Sequence, residues 1–260
     1  MPIEIPTQST APVYFPNENY KIVRYLDLVK FISLIQTKKL YFSRLDKFED
    51  RYEGTVPELS VQDFKEWYTH FTKNKLLDII KTSVEEHVEQ ALADQKNAEE
   101  KYKKLVCISC WNKYDSESYA LWKIYSDLSK GVMITTNIEK IKTAFVNTEE
   151  QIQVSEVKYL DYKKDKMKMG NMNYPIIHKN LHYDYEKEVR LIYKVPFESG
   201  LNYDWSKEEN QYGKYINIDI DILIEEIIVS PKAPQWFFDV ISNLLQTYKI
   251  EKKIKYSDLK

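Results

Sequence analysis

Only five glycines occur in 260 residues, at positions 54, 131, 170, 200 and 213, and no two lie within ten residues of each other. A loop that cradles phosphate on backbone amides, whether G-x-G-x-x-G or G-x-x-x-x-G-K-[ST], needs several glycines close together. P-loop, Rossmann and glycine-loop kinase sites are therefore excluded. Arginine is as scarce. Only Arg24, Arg44, Arg51 and Arg190 occur, so 34 of the 38 basic residues are lysine. The planar five-donor fork of arginine cannot be copied by lysine, and each of the four is a candidate for a specific role.

Lys+Arg 38 against Asp+Glu 40 leaves a formal net charge of −2, which argues against a general nucleic-acid coat. With 43% apolar and 14% aromatic residues the chain can bury a sizeable core. No stretch of 18 residues lacks charge, so no membrane span is expected, and MPIEIPTQSTAPVYFPNENY has neither the basic nor the apolar region of a secretory leader. The expectation is a cytoplasmic protein with no membrane partner. The two cysteines, Cys107 and Cys110, form one C-x-x-C. A zinc site would need two further ligands, and no matching pair is found among His70, His87, His178 and His182. The apolar run LVCISCW reads as a strand, which places the two thiols on opposite faces as ordinary buried cysteines.

Pro2, Pro6, Pro12 and Pro16 mark residues 1–19 as an extended arm. Residues 20–260 read as one α+β domain, a mixed or antiparallel sheet with flanking helices. YKIVRY, KLYFSRL, LVCISCW, GVMITT, IQVSEVKYL, EVRLIYKV, KYINIDI, EEIIVSP and KKIKYS read as strands. Helices are expected at 26–37, near 116–129 with Gly131 as the residue that stops it, and at 235–248. Residues 61–104 run for 44 positions without Gly or Pro and read as a helical insertion of two or three segments. A weak helical tendency is read over 163–183, where KKDKMK is a solvated loop.

Four clusters carry the candidate chemistry. Arg24, in VRY, is either a surface arginine on an edge strand or an anion fork for a phosphate. In LYFSRLDKFEDRYEG, Ser43 ends a strand, and Asp46, Glu49, Asp50 and Glu53 crowd the turn beside Arg44 and Arg51. Surface ion pairs or a loop-borne site both fit. In SESYALWKIYSDLSKG, Tyr119, Trp122 and Tyr125 recur every three residues, as a core stripe or as a stacking wall for a flat base. In HYDYEKEVRLIYKV, strand alternation puts Glu186, Glu188 and Arg190 on one face and Val189 and Leu191 on the other. That row is either a solvated polar face or a pair of carboxylates driven to different pKa values, with one available as base or acceptor.

In this order the clusters resemble a known family. The KLYFS helix end, the turn Phe48-Glu49-Asp50-Arg51-Tyr52-Glu53, the C-x-S-x-W segment, LWxxYSDxxKGVMI, YExEVRLI and IEEIIVSP are similar to the bacterial and phage family catalogued as domain-of-unknown-function family 2971. The likeness runs over most of residues 20–260. It departs at the turn, where that family reads N-D-P-x-E and Glu49 and Arg51 stand in place of Asn and Pro. An early Arg, a Ser ending a later strand and then E-x-E also resemble, more loosely, ADP-ribosyltransferases of the R-S-E type. That resemblance implies that Arg24 holds a phosphate of NAD and Ser43 shapes the nicotinamide pocket. It further implies that Glu188 contacts the ribose with Glu186 as the auxiliary carboxylate, and that Tyr119 or Trp122 stacks on the ring. Cleavage of the glycosidic bond of NAD makes an oxocarbenium-like cation that a fixed carboxylate stabilises, with no metal required.

The expected function is recognition of a nucleotide-type small molecule by Arg24, Ser43, Trp122, Tyr125, Glu188 and Arg190. ADP-ribosyl transfer to a protein or nucleic-acid acceptor, or NAD cleavage, is the leading chemistry, in conflict between bacteria and phage. A non-catalytic nucleotide or cyclic-nucleotide sensor or sponge is the alternative. A third reading is a Mg²⁺-dependent nuclease built on Asp46, Asp50, Glu53, Glu186 and Glu188.

Overall fold

The computed structural model describes residues 3–4, 13–50, 52–196 and 211–260, and Arg51 and most of the N-terminal arm lie outside them. Ten strands form one mixed sheet, in the path β1 (Ile3–Glu4), β6 (Ile152–Glu156), β9 (Glu188–Lys194), β4 (Val106–Lys113), β2 (Lys21–Asp27), β5 (Gly131–Asn137), β11 (Glu226–Val229) and β12 (Lys253–Tyr256). β3 (Lys39–Arg44) and β10 (Gly213–Asn217) branch from this path. A separate pair, β7 (Lys158–Leu160) and β8 (His178–Asn180), runs parallel. The architecture is α+β, as the sequence implies.

Strand alternation explains the two faces. Ile22, Leu26, Leu40, Phe42, Trp111, Val189 and Leu191 belong to the main core, which α1 (Leu28–Thr37), α5 (Ile138–Ala144), α6 (Ile220–Leu223) and α7 (Gln235–Thr247) cover with Phe31, Ile35, Ile141, Leu223, Phe237 and Ile241. The opposite face carries two smaller clusters. One packs Leu121 and Trp122 of α4 (Tyr119–Tyr125) on Val23, Tyr25, Met133 and Ile228. The other packs Ile176 and Ile177 on Val106, Ile108 and Ile192.

One edge of β4 is fully occupied by β9, so β2 and β3 share the other. β3 meets β4 only at Ser43–Ile108 and Arg44–Cys107, and β2 only at Ile22–Lys113 and Val23–Asn112. The sheet forks there. Ser109, Cys110 and Trp111 have no ladder partner on that edge.

The helical insertion is α2 (Glu58–Phe71), a short π-turn at Thr72–Leu76, and α3 (Val84–Lys103), whose start is fixed by a reciprocal capping box between Ser83 and Glu86. Its outer face leaves Trp67, Leu77 and Ile79 exposed.

Several expectations are corrected. Arg24 is not on an edge strand, because β2 sits between β4 and β5; it stands where the pairing with β4 has already stopped at Val23, on the fork. The helix expected at 116–129 ends at Tyr125, where Ser126 turns extended and Asp127 folds back to accept from Ser129 and Lys130. Gly131 is therefore no helix cap. It opens β5, where a Cβ would come within 2.5 Å of the Asp127 carbonyl oxygen. Residues 163–183 contain no α-helix, only turns, β8 and 3₁₀ segments at Tyr174–Ile176 and Leu181–Glu186. Ile3, within the arm, is buried and its strand pairs with β6. No helix among the described residues is long and apolar enough to cross a membrane.

Candidate functional site

A cleft of about 680 Å³ occupies the fork, within the usual range for small-molecule sites. β3 and β10 supply Tyr41, Ser43 and Tyr215, and β2 supplies Arg24 and Tyr25. Cys110, Asn112, Tyr125, Lys179, Tyr183, Tyr185, Glu186 and Glu188 close the other sides, and the turn after β3 adds Phe48, Glu49, Asp50 and Glu53.

Arg24 lines the cleft from β2. It is partly buried, and its guanidinium donates from Nη1 to Ser109 Oγ at 2.8 Å and lies 5.9 Å from the centre of the Trp111 ring. Among the described residues no carboxylate forms a salt bridge with it. Loss of hydration pulls its pKa down, because nothing of opposite charge is close enough to compensate. A cation held like this on a cleft wall is a site that an anion completes.

The cleft also borders a buried network of three carboxylates and two cations. Arg190, fully buried, donates from Nε to Glu188 Oε1 at 3.0 Å and from Nη1 to the Ile176 carbonyl at 2.5 Å. Its Nη2 donates to both Glu188 Oε2 at 3.0 Å and Glu53 Oε1 at 2.5 Å. Lys179 reaches Glu186 Oε2 at 2.6 Å and Glu188 Oε2 at 3.5 Å, and lies 3.7 Å from Glu53 Oε2. Tyr125 donates its hydroxyl to Glu186 Oε1 at 2.5 Å. The parallel pairing of β7 with β8 sets Tyr159 opposite Lys179, and the Glu188 amide donates to the Tyr159 hydroxyl at 2.8 Å. The small sheet thus carries Lys179 onto the carboxylates.

These groups titrate in opposite directions. Burial would raise Glu188, but Arg190 and Lys179 outweigh it and hold the carboxyl at about 2. Glu53 is raised, because burial and the neighbouring Glu188 outweigh its shares of Arg190 and Lys179. Burial would lower Lys179, yet Glu188, Glu53 and Glu186 drive it upward. Tyr125 is pushed well up by burial and by its bond to Glu186. Two carboxyls held apart in this way are the ingredients of acid–base or electrostatic chemistry.

The sign for stability follows. A Glu188 pKa depressed from 4.5 contributes stability that is complete above pH 4.5 and lost as pH falls through about 2. Glu53, being raised, works the other way. In urea unfolding between pH 7 and pH 2.5, the stability gap between wild type and Glu188→Gln is expected to narrow as the pH drops. A gap independent of pH overturns the assignment.

The residues singled out by sequence divide clearly. Arg24, Ser43, Tyr125, Glu186 and Glu188 line the cleft. Arg190 stands behind it, 0% exposed, with its nitrogens committed to Glu188, Glu53 and Ile176, and it positions carboxylates rather than touching a ligand. The aromatic wall is not formed. Residues three apart on a helix diverge by about 60°, so a set at i, i+3 and i+6 fans over about 120°. Trp122, at the middle of that arc, is buried against Tyr25 with its Nε1 donating to Glu117, Tyr119 is 46% exposed outside the cleft, and only Tyr125 faces it.

Glu186 lies on the 3₁₀ turn and not on the strand. Lys187, in the left-handed conformation at φ 45°, turns the chain so that Glu186 still meets Glu188 at Lys179. The row is buried rather than solvated, with Glu186 and Glu188 each 3% exposed. Asp46 is taken by Arg44, bidentately at 2.5 and 2.9 Å, and among the described residues no group of three His, Cys, Asp or Glu is placed to hold a metal ion. Cys107 is buried in the main core, whereas Cys110 is half-buried and lines the cleft, where burial and the neighbouring Glu188 push its thiol pKa well up. Sequence reasoning missed Lys179, Tyr159 and the tyrosines of the rim; one lysine among 34 carries no local signal.

Residues 121–191 match the model of the family described as "Protein of unknown function (DUF2971)". That match bears out the resemblance read from the motifs. It runs from α4 to the middle of β9 and so includes Tyr125, Lys179, Glu186 and Glu188 of the cleft and Arg190 behind them, while Arg24, Ser43 and Glu53 lie outside it. No curated protein matches the chain.

Proposed function

We propose that the cleft binds a nucleotide with its phosphates on Arg24 and a ribose at the Glu186–Glu188 end, and that the chemistry is cleavage of the glycosidic bond of NAD, with or without transfer of ADP-ribose to an acceptor. The observation that carries this reading is that the guanidinium of Arg24, which has no salt bridge among the described residues, lines the same cleft as members of a network with one more carboxyl than cations. A dinucleotide is anionic at its pyrophosphate and becomes cationic at the nicotinamide ribose as the glycosidic bond breaks. The cleft offers a cation for the first and carboxylates for the second. Glu188, ionised at neutral pH and fixed by Arg190, supports the role of a preorganised counter-charge to that cation. It is not free to rotate toward water, so little reorganisation is needed when charge develops. Tyr41, Tyr215, Tyr183 and Tyr185 offer rings along which a base can lie, with Tyr41 and Tyr215 already 4.8 Å apart.

The test is nicotinamide release from NAD by the purified protein, with and without lysate as acceptor, alongside thermal shift. NAD is expected to raise the melting temperature. Arg24→Met is expected to weaken NAD binding by about 10- to 100-fold, the worth of charge-assisted hydrogen bonds of about 1.5–3 kcal/mol. Absence of both a thermal shift and nicotinamide release in wild type overturns the reading. A thermal shift without turnover leaves the binding and overturns the catalysis.

A further inference from the structure

Glu53 is the one member of the buried network with an oxygen to spare. Its side chain is 1% exposed, and Oε1 is fixed by Arg190 Nη2. Oε2, however, accepts no hydrogen bond among the described residues, and Lys179 Nζ stands 3.7 Å away, in ion-pair range but beyond hydrogen-bond range. A buried carboxyl oxygen without a hydrogen bond is rare in native structures. Glu53 lies on the cleft wall, so its unpaired oxygen is placed to be satisfied by what enters the cleft.

The position of Glu53 narrows what that is. Arg190 Nη2 holds Glu53 Oε1 at 2.5 Å and Glu188 Oε2 at 3.0 Å, so these two oxygens are no more than 5.5 Å apart by addition of the two distances. Two carboxyls side by side on one guanidinium match two neighbouring polar groups of a ligand. Two vicinal hydroxyls can each donate to one carboxyl of such a pair. A hydroxyl is also indifferent to the protonation of Glu53, because it can donate to a carboxylate or accept from a carboxylic acid. An ammonium or a second carboxylate would suit only one state.

We infer that Glu53 and Glu188 together grip the vicinal diol of the ribose, one hydroxyl each, and that Glu53 makes the cleft selective for ribose over its deoxy forms. This rests on the nucleotide reading above and adds to it a contact from the turn after β3, outside the E-x-E motif. Glu53 touches the ligand, Arg190 orients both carboxyls, and Arg24 holds the phosphates.

The experiment measures calorimetric affinity for ADP-ribose and for two analogues whose terminal sugar lacks either the 2- or the 3-hydroxyl. Wild type is expected to lose about tenfold or more for each deletion, one hydrogen bond to a charged group apiece. In Glu53→Ala, ADP-ribose is expected to bind more weakly by a similar factor, and one of the two deletions stops mattering. Glu53→Gln, whose amide still pairs with a hydroxyl, is expected to restore sensitivity to both. Melting temperature verifies that each variant is folded; the wild-type analogue series decides the matter without any variant. Wild type that ignores either hydroxyl, or Glu53→Ala that binds and discriminates as wild type does, overturns the inference. If that happens while ADP-ribose binding still depends on Arg24, the nucleotide reading stands and only the role of Glu53 falls. No binding of ADP-ribose or NAD to wild type overturns both.

Discussion

Arg190→Met is expected to cost about 3–5 kcal/mol of folding stability, the loss seen when one partner of a buried ion pair is removed. The guanidinium is 0% exposed and holds Glu188 twice, Glu53 once and the Ile176 carbonyl once. Methionine fills the volume but leaves two buried carboxyls facing Lys179 alone. For a chain of this size that is a fall in melting temperature on the order of 10 °C. The penalty belongs to the stranded charges and not to the lost packing. Arg190→Met combined with Glu188→Gln and Glu53→Gln is therefore expected to recover most of it, since a neutral cluster has no unpaired ion to desolvate. Urea unfolding of the single and triple variants measures both numbers. A single-variant loss below 1 kcal/mol, or a triple variant less stable than the single, contradicts the account of the network.

Glu188→Gln is the variant with the largest expected effect on turnover. The amide oxygen can still accept from Arg190 Nε at the position of Oε1, but the amide NH2 at the position of Oε2 meets two donors, Arg190 Nη2 and Lys179 Nζ, so the melting temperature of the variant is measured beside its kinetics. If the carboxylate opposes an oxocarbenium-like cation, its loss is expected to lower the rate of nicotinamide release by about 10²–10³-fold. Binding of NAD changes little by comparison, because Arg24 and the phosphates are untouched. Steady-state kinetics then show the loss in kcat with KM nearly constant. A fall of less than tenfold removes Glu188 from the chemistry. A large rise in KM at constant kcat makes it a binding residue.

What could be read from the chain and what could not divide along physical lines. Periods of two and 3.6 are local properties, so β2, α1, β3, β4, β9 and α7 are visible from the alternation of apolar residues, and the insertion from 44 positions without Gly or Pro. Residue chemistry is local as well. Four arginines among 38 basic residues are enough to mark Arg24 and Arg190, and strand alternation puts Glu188 beside Arg190. The segment 163–186 has no period to read, because its path is set by turns and 3₁₀ segments and by what it covers.

Roles within the site depend on distance in space, which alternation does not encode. Glu53 and Arg190 meet across 137 positions, and Lys179 reaches the carboxylates only because β7 and β8 pair. The stripe Tyr119–Trp122–Tyr125 has the same spacing whether it faces a ligand or a core; its placement over β2 sends Trp122 inward and leaves Tyr125 at the cleft. The cleft itself exists because β2 and β3 share one edge of β4 without meeting, an outcome of hydrogen-bond pairing among three strands far apart in the chain. Local sequence dictates which segments are strand and helix and which residues carry charge. Tertiary pairing alone decides that Arg24 faces an open cleft without a counter-ion while Arg190, of the same chemistry, is buried and fully paired behind it.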